Sequence, residues 1–258
     1  MTNFIGQSKI LRELEYIIPL ARDKEEPFNI LFSARSGYGK TFLGLMVVSR
    51  VASFQILIKE DANSIIRSLE TGKTRSNLID EVHMIKNIEL LYPLMDSGKY
   101  FLIFATNQSY ELPEAFKRRC IQLIFEKYSK PELARIAKDC LQGLEIGAGC
   151  LDDIVRASNY TPGNIHLLCM RLRTVFGREG GFDQNKLNDI LVNVFNIQDG
   201  LDPRCREYLE ILERMEFISL DSLSYILGVS KDTIKTEVES VLLSKGLIQI
   251  TSKGRSLA

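Results

Sequence analysis

The chain has 258 residues and balances 33 Lys and Arg against 33 Asp and Glu. The length exceeds one average domain. The zero net charge excludes a global basic field, so any nucleic-acid contact must come from a local patch.

Taken in order, Phe4-Ile5-Gly6-Gln7 precedes an amphipathic helix with Ile10, Leu11, Leu14, Ile17 and Ile18 on one face. Pro27 separates it from a short apolar strand, Ile30-Leu31-Phe32. Gly37-Tyr38-Gly39-Lys40-Thr41 follows, and then an apolar helix from Phe42 to Val48. A strand, a glycine-rich turn and Gly-Lys-Thr at a helix start give the context a phosphate-binding loop needs. The glycines let backbone N–H groups turn toward phosphate oxygens, and the helix N-terminus adds partial positive charge. In this reading Lys40 reaches the β- and γ-phosphates and the Thr41 hydroxyl holds Mg²⁺, with Tyr38 and Phe42 counted among the binding residues. The first glycine of the pattern is Ala34 here, a departure of one methyl group. The alternative is a strand–turn–helix with a chance Gly-Lys-Thr.

A second strand, Gln55 to Ile58, and a helix, Ala62 to Leu69, come next. Asn77-Leu78-Ile79-Asp80-Glu81 is an apolar strand ending in two carboxylates, a Walker B pattern downstream of such a loop. Asp80 then belongs to the Mg²⁺ shell and Glu81 is the general base that polarises the attacking water. In isolation the same residues would be a strand with a solvated acidic turn. Phe101 to Ala105 is another buried strand, ending at Thr106-Asn107. Asn107 either orients the lytic water or is a simple loop residue. Lys117, Arg118 and Arg119 close a short helix. They either complement its macrodipole or present an arginine finger to a neighbouring subunit. Ile121 to Phe125 is the last strand of this part.

From Lys130 to Arg173 the pattern is helical throughout, broken at Thr161-Pro162-Gly163-Asn164, and a further helix runs from Asn185 to Phe195. From Pro203 the pattern changes. Helices Arg204 to Met215 and Leu220 to Leu227 lead through Gly228 to a helix from Lys231 to Leu243, with Ser230 as its N-cap. A strand, Leu247 to Ile250, and a turn, Thr251 to Arg255, complete a helix-turn-helix with a wing. The five cysteines, Cys120, Cys140, Cys150, Cys169 and Cys205, are dispersed with no Cys-x-x-Cys pair, which points to reduced thiols. No signal-peptide pattern opens the chain, and no apolar run reaches membrane-spanning length, so a cytoplasmic protein without membrane contact is expected.

The segments FIGQ, EEPFNILFSARSGYGKT, LIDEVHMI, ELLYPLM, FLIFATN, YSKPELARIA and LLSKGLIQITSKGR resemble, in order and over nearly the whole chain, the RuvB type of AAA+ motor. That family drives Holliday-junction branch migration in bacteria. The loop and the Asp-Glu pair are generic to AAA+ proteins, whereas ELLYPLM and SKGLIQITSKGR are much more specific. The resemblance implies an α/β AAA+ P-loop NTPase domain with a parallel sheet at residues 1–127, an all-α lid at 128–199 and a winged helix at 200–258. It implies ATP and Mg²⁺ as cofactors and a homo-oligomeric ring, a hexamer, acting on duplex or branched DNA. Asn107 matches sensor 1, and Arg119 matches the trans-acting finger with Arg118 its competitor. Tyr128 resembles a tyrosine lining the nucleotide pocket, and Ile5 resembles a backbone contact to the adenine. Lys253 and Arg255 match basic wing residues that touch DNA phosphates, the alternative being a solvated, frayed C-terminus.

Three departures accompany the match. His166 stands where the family carries a sensor-2 arginine, either as a weaker γ-phosphate sensor or as an ordinary helix-face histidine. The segment Asp96-Ser97-Gly98-Lys99-Tyr100 replaces a protruding β-hairpin that contacts RuvA, which leaves a RuvA-like partner without its usual docking element. Ile250 occupies a wing position that is usually basic. The expected function is ATP-driven DNA translocation in branch migration. The alternative is a nucleotide-switched loader or adaptor that recruits a partner with little translocation. A winged-helix regulator with a vestigial ATPase fits least, because the core motifs are intact.

Overall fold

Unbroken apolar runs mark strands covered on both faces, and the first part of the chain folds that way. The computed structural model describes residues 4–58 and 61–258. Strands β1 (Asn29–Ser33), β2 (Phe54–Leu57), β3 (Ser76–Ile79), β4 (Phe101–Thr106) and β5 (Ile121–Ile124) form one parallel sheet in the order β2-β3-β4-β1-β5. Successive side chains of a strand point to opposite faces. Ile30 and Phe32 therefore pack with helices α1 (Ser8–Asp23) and α2 (Lys40–Val51), while Leu31 packs with α3 (Ala62–Thr71) on the other side. On that second side Phe104 meets Phe116 edge-on, with ring centroids 4.9 Å apart and both rings fully buried. Truncating such a ring to Ala costs about 3–5 kcal/mol. Helix α2 lies so close to β3 that a Cβ on Gly44 would stand 2.8 Å from Leu78 Cδ1. Two single helical turns, α4 (Tyr92–Asp96) and α5 (Glu114–Lys117), flank β4 in sequence. Residues 97–100 make only a turn into β4, in keeping with the short segment read from the sequence.

The chain divides into two units, Met1–Glu132 and Leu133–Ala258. The break falls inside helix α6 (Lys130–Cys140), a little beyond the expected end of the nucleotide domain, and the lid and winged segments lie together in the second unit. Helices α7 (Cys150–Ala157) and α8 (Pro162–Phe176) follow α6. The expectation of helix throughout is corrected at one point: β6 (Glu145–Ile146) pairs in parallel with β7 (Gly181–Phe182). Strands this short carry no readable period. Helix α9 (Gln184–Asp189) continues as a π-helical turn, Ile190–Val194.

In the winged segment α10 (Pro203–Arg214) and α11 (Leu220–Leu227) precede α12 (Lys231–Thr233), which runs through a π-helical stretch, Ile234–Glu239, into α13 (Ser240–Ser244). Ser230 caps α12 by accepting the Thr233 N–H at 3.1 Å. Tyr208, Leu212, Leu223, Ile234, Val238 and Leu242 form the core of this segment. Strands β8 (Ile248–Thr251) and β9 (Gly254–Leu257) make an antiparallel wing. Among the described residues no helix is long and apolar enough to cross a membrane, and all five cysteines are free.

Candidate nucleotide site and wing

Ligands of open parallel sheets bind beyond the carboxyl ends of the strands, and the register brings the predicted residues to that edge. Ser33 at the end of β1 pairs with Thr106 at the end of β4, and Ile79 of β3 pairs with Phe104. The loop after β1, the pair Asp80-Glu81 and Asn107 therefore emerge side by side. Gly37 (φ 75°) and Gly39 (φ 87°) both take left-handed backbone conformations, as the turn into α2 requires. Ala34 fits at the start of the loop, its N–H donating to the Thr106 carbonyl at 3.2 Å.

Lys40 is buried, and its Nζ donates to the carbonyls of Ala34 (3.0 Å) and Arg35 (3.2 Å). Burial holds its pKa below the ordinary lysine value, while the carboxylates of Glu81 and Asp80 pull the other way. An ammonium folded into its own loop in this way is poised for an anion. The Thr41 hydroxyl donates to Asp80 Oδ2 at 2.6 Å, and Asp80 Oδ1 accepts the Glu81 N–H at 2.9 Å. Glu81 sits in the left-handed region at φ 50°, strained for a non-glycine residue.

Glu81 Oε2 and Asn107 Oδ1 are buried oxygens with no hydrogen-bond partner among the described residues. Unpartnered acceptors of this kind, in a site that also holds a hydroxyl and a carboxylate 2.6 Å apart, suit a divalent cation and the waters it carries. The donor set at Thr41 and Asp80 is all oxygen, as Mg²⁺ requires.

His83 was quoted within a motif in the sequence but given no role, and the structure gives it one. Its Nδ1 lies 3.1 Å from Thr106 Oγ1 and 3.4 Å from Glu81 Oε2, the latter without hydrogen-bond alignment. The Gln108 amide satisfies both neighbours with Oε1 toward His83 Nε2 (3.2 Å) and its nitrogen toward the Glu111 carboxylate. This links the glutamate to the tip of β4. The available signal was the spacing Asp80-Glu81-x-His83, which returns a side chain toward the glutamate after one tight turn.

The aromatic side of the site joins residues far apart in sequence. Gln7 Nε2 donates to the Glu126 carbonyl and Gln7 Oε1 accepts the Glu126 N–H, both at 2.8 Å. This pairing lays Phe4-Ile5-Gly6 beside Tyr128. A Cβ on Gly6 would come within 2.7 Å of the Tyr128 ring. Tyr128 donates its hydroxyl to the Tyr38 carbonyl at 3.1 Å, the two rings meet edge-on, and burial pushes the phenol up to about 12. Phe42 stacks on Phe4, with centroids 6.0 Å apart. Ile5, Tyr38, Phe42 and Tyr128 thus converge next to the glycine-rich loop. His166 belongs to the second unit, on α8, where its Nδ1 lies 3.5 Å from Cys140 Sγ.

One expectation about the arginines is corrected, and Arg119 gains a partner outside its own segment. The Arg119 Nε donates to both carboxylate oxygens of Asp96 at 3.1 Å and its Nη1 to the Ala115 carbonyl at 2.7 Å, with the guanidinium 4.4 Å from the Tyr92 ring centroid. The partner is on α4, too distant in sequence for a local reading. Arg118 is exposed. Arg255 was expected at the wing tip reaching toward DNA. It lies instead in β9, its backbone bridged to Ile218. Its Nε donates to Glu239 Oε1 at 2.8 Å, and Tyr208 donates to the same oxygen at 2.8 Å. Glu239 is 2% exposed, so the ion pair is buried and Arg255 faces inward. The tip is Ser252 and Lys253, and Lys253 Nζ lies 5.5 Å from the Phe217 ring centroid.

Residues 198–258 match the family model described as the RuvB C-terminal winged helix domain. The Holliday junction branch migration complex subunit RuvB of Desulfosudis oleivorans is 27% identical over 98% of this chain and 84% of its own length. The RuvB of Mycoplasma genitalium is 25% identical over 98% of this chain and 92% of its own. Among solved structures, a Thermotoga maritima RuvB described as a Holliday junction branch migration motor is 25% identical, covering 100% of this chain and 94% of that one at a TM-score of 0.85. The FIGL-1 AAA domain in complex with ADP, 19% identical at a TM-score of 0.57, shares the fold over 81% of this chain and 88% of its own. The parallel-sheet α/β domain is therefore of the AAA+ kind, followed by a helical lid and a winged helix.

Proposed function

Because the chain is of the RuvB type, we propose that it is an AAA+ ATPase that assembles as a ring, translocates duplex DNA and drives Holliday-junction branch migration. The observation that carries this is the bond of 2.6 Å between Thr41 and Asp80 behind the glycine-rich loop, with Glu81 next in sequence. Mg²⁺, when bound, supplies positive charge that neutralises the phosphate oxygens. Thr41 and Asp80 would hold it. Lys40 would exchange its two loop carbonyls for phosphate oxygens, which suit an ammonium better than neutral acceptors do. Glu81 would take a proton from the water that attacks the γ-phosphorus, and Asn107 would orient that water. Ile5, Tyr38, Phe42 and Tyr128 would flank the base and ribose. Arg119 or Arg118 would complete a neighbour's site, and Lys253 would meet DNA phosphate. Several chains in closed symmetry would give each pocket such a neighbour.

The test is ATP turnover with and without a synthetic four-way junction, followed by a branch-migration assay on the same junction. Junction-stimulated hydrolysis together with strand separation supports the motor. Hydrolysis or junction binding without movement would favour the loader or adaptor instead.

A further inference from the structure

The carboxyl end of α6 and one face of α8 bring together three side chains of matched chemistry. Cys140 is the last residue of α6, and His166 and Cys169 stand three apart on α8, so the two share a face of that helix. Cys140 Sγ is 3.5 Å from His166 Nδ1, and Cys169, one turn after His166 on α8, turns its thiol to the carbonyl of Ala137, one turn before Cys140 on α6, so the two thiols face each other across the helix pair. Cys140 is half-buried, whereas Cys169 is fully buried with its Sγ 3.9 Å from the Ala137 carbonyl. Arg173, one turn beyond Cys169, fastens the helices by donating Nη1 to the carbonyls of Cys140 (3.1 Å) and Gln142 (2.9 Å).

We propose that Cys140 and Cys169 are a peroxide-sensitive dithiol, with Cys140 the attacking thiolate, Cys169 the resolving thiol and His166 the residue that holds the thiolate in place. An accessible thiolate beside a second thiol is the arrangement of redox-sensing cysteines. The neighbouring Cys169 thiol and the His166 imidazole favour the Cys140 thiolate and lower its pKa, against the opposing effect of burial. Burial pushes Cys120 and Cys205 up to about 12.

The chemistry balances with a hydroperoxide as oxidant. The Cys140 sulfur attacks one peroxide oxygen, so that an S–O bond forms and the O–O bond breaks. The electron pair leaves with the other oxygen, which takes up a proton. Cys140 is now a sulfenic acid, oxidised by two electrons, and the peroxide is reduced. The Cys169 sulfur then attacks Cys140, the S–S bond forms, the S–O bond breaks, and the hydroxide leaves with the Cys169 proton as water. Two thiols and one hydroperoxide give one disulfide, one alcohol or water, and one further water. The proposal does not depend on the ATPase reading, because it is read out in sulfur chemistry.

A lowered pKa raises the thiolate fraction of Cys140 at neutral pH. The gain over an ordinary thiol is only several-fold, because a less basic thiolate is also a weaker nucleophile. Against Cys120 and Cys205 the advantage is orders of magnitude, roughly as their thiolate fractions differ.

The experiment treats the reduced full chain with hydrogen peroxide near neutral pH, blocks the remaining thiols with a maleimide, and maps the peptides by mass spectrometry. The expected product is a linked Cys140–Cys169 peptide pair that dithiothreitol reverses, with Cys120, Cys150 and Cys205 still carrying maleimide. Cys169→Ser should stop the reaction at a Cys140 sulfenic acid that dimedone traps. His166→Ala should slow Cys140 oxidation several-fold while circular dichroism stays unchanged. The proposal is overturned if both thiols stay free, if Cys140 links to another cysteine or another chain, or if it reacts no faster than Cys150.

Discussion

Glu81 is held in a conformation it would not choose alone. Its left-handed backbone is fixed by the Asp80 carboxylate on its N–H, and its side chain approaches His83. Strain kept by surrounding contacts is what a group aimed at one reacting atom needs. Glu81→Gln keeps the shape and removes the basicity. Nucleotide binding should persist while turnover falls by roughly a hundredfold or more, the usual worth of a positioned general base. Equilibrium ATP binding with single-turnover hydrolysis checks this, and wild-type turnover would remove Glu81 from the role. His83 touches the glutamate and the tip of β4 but acts only through them. His83→Ala should lower kcat about tenfold, equivalent to one interaction of ~1.4 kcal/mol, with KM for ATP unchanged. A raised KM at constant kcat would show that His83 supports binding instead.

At the scale of elements, the short turns α4 and α5 hold the arginine proposed as a finger. Arg119 is tied to Asp96 across them, with side-chain exposures of 32% and 54%. An ion pair this open is worth about 0–1 kcal/mol, weak enough to yield to a phosphate on a neighbouring chain. Arg119→Ala chains should bind ATP and fail to hydrolyse it. Mixed with Lys40→Ala chains, they should recover partial turnover, because some interfaces then pair an intact pocket with an intact finger. Arg118→Ala, which leaves the Asp96 pairing untouched, serves as the control. If that variant alone loses activity and is the one rescued by mixing, the finger is Arg118. The absence of rescue for either, with assembly intact by light scattering, would exclude a role in trans.

For the whole molecule, any DNA contact must be local because the net charge is zero. The wing offers Lys253 at its tip, whereas Arg255 belongs to the buried triad with Glu239 and Tyr208. Burial raises the Tyr208 pKa, and the hydrogen bond to Glu239 raises that of Arg255. The two basic residues should therefore separate cleanly. Lys253→Ala should weaken binding alike for all sequences and flatten the salt dependence by roughly one unit of slope. Arg255→Ala strands the Glu239 charge and should destabilise the winged segment by about 3–5 kcal/mol. Urea unfolding followed through the winged segment, together with a salt series of DNA affinities, distinguishes the two. If Arg255→Ala leaves the unfolding midpoint in place and alters only the salt slope, the inward placement of Arg255 does not hold in solution.

By itself the sequence determined what is local or periodic. The apolar runs gave the buried strands, the loop Gly37 to Thr41 its turn and helix start, Ser230 its cap, and Asp80-Glu81 a place at the end of a strand. In each case the physical cause lies within a few residues, as φ freedom, side-chain period or a capping oxygen. Only the tertiary structure decided which distant groups meet. It paired Gln7 with Glu126, Arg119 with Asp96, Cys140 with His166, and Arg255 with Glu239. No spacing rule reaches across such separations. The pairing with Glu239 that turns Arg255 inward, and that offsets the desolvation of both charges, exists only once the wing has closed over α10 and α13.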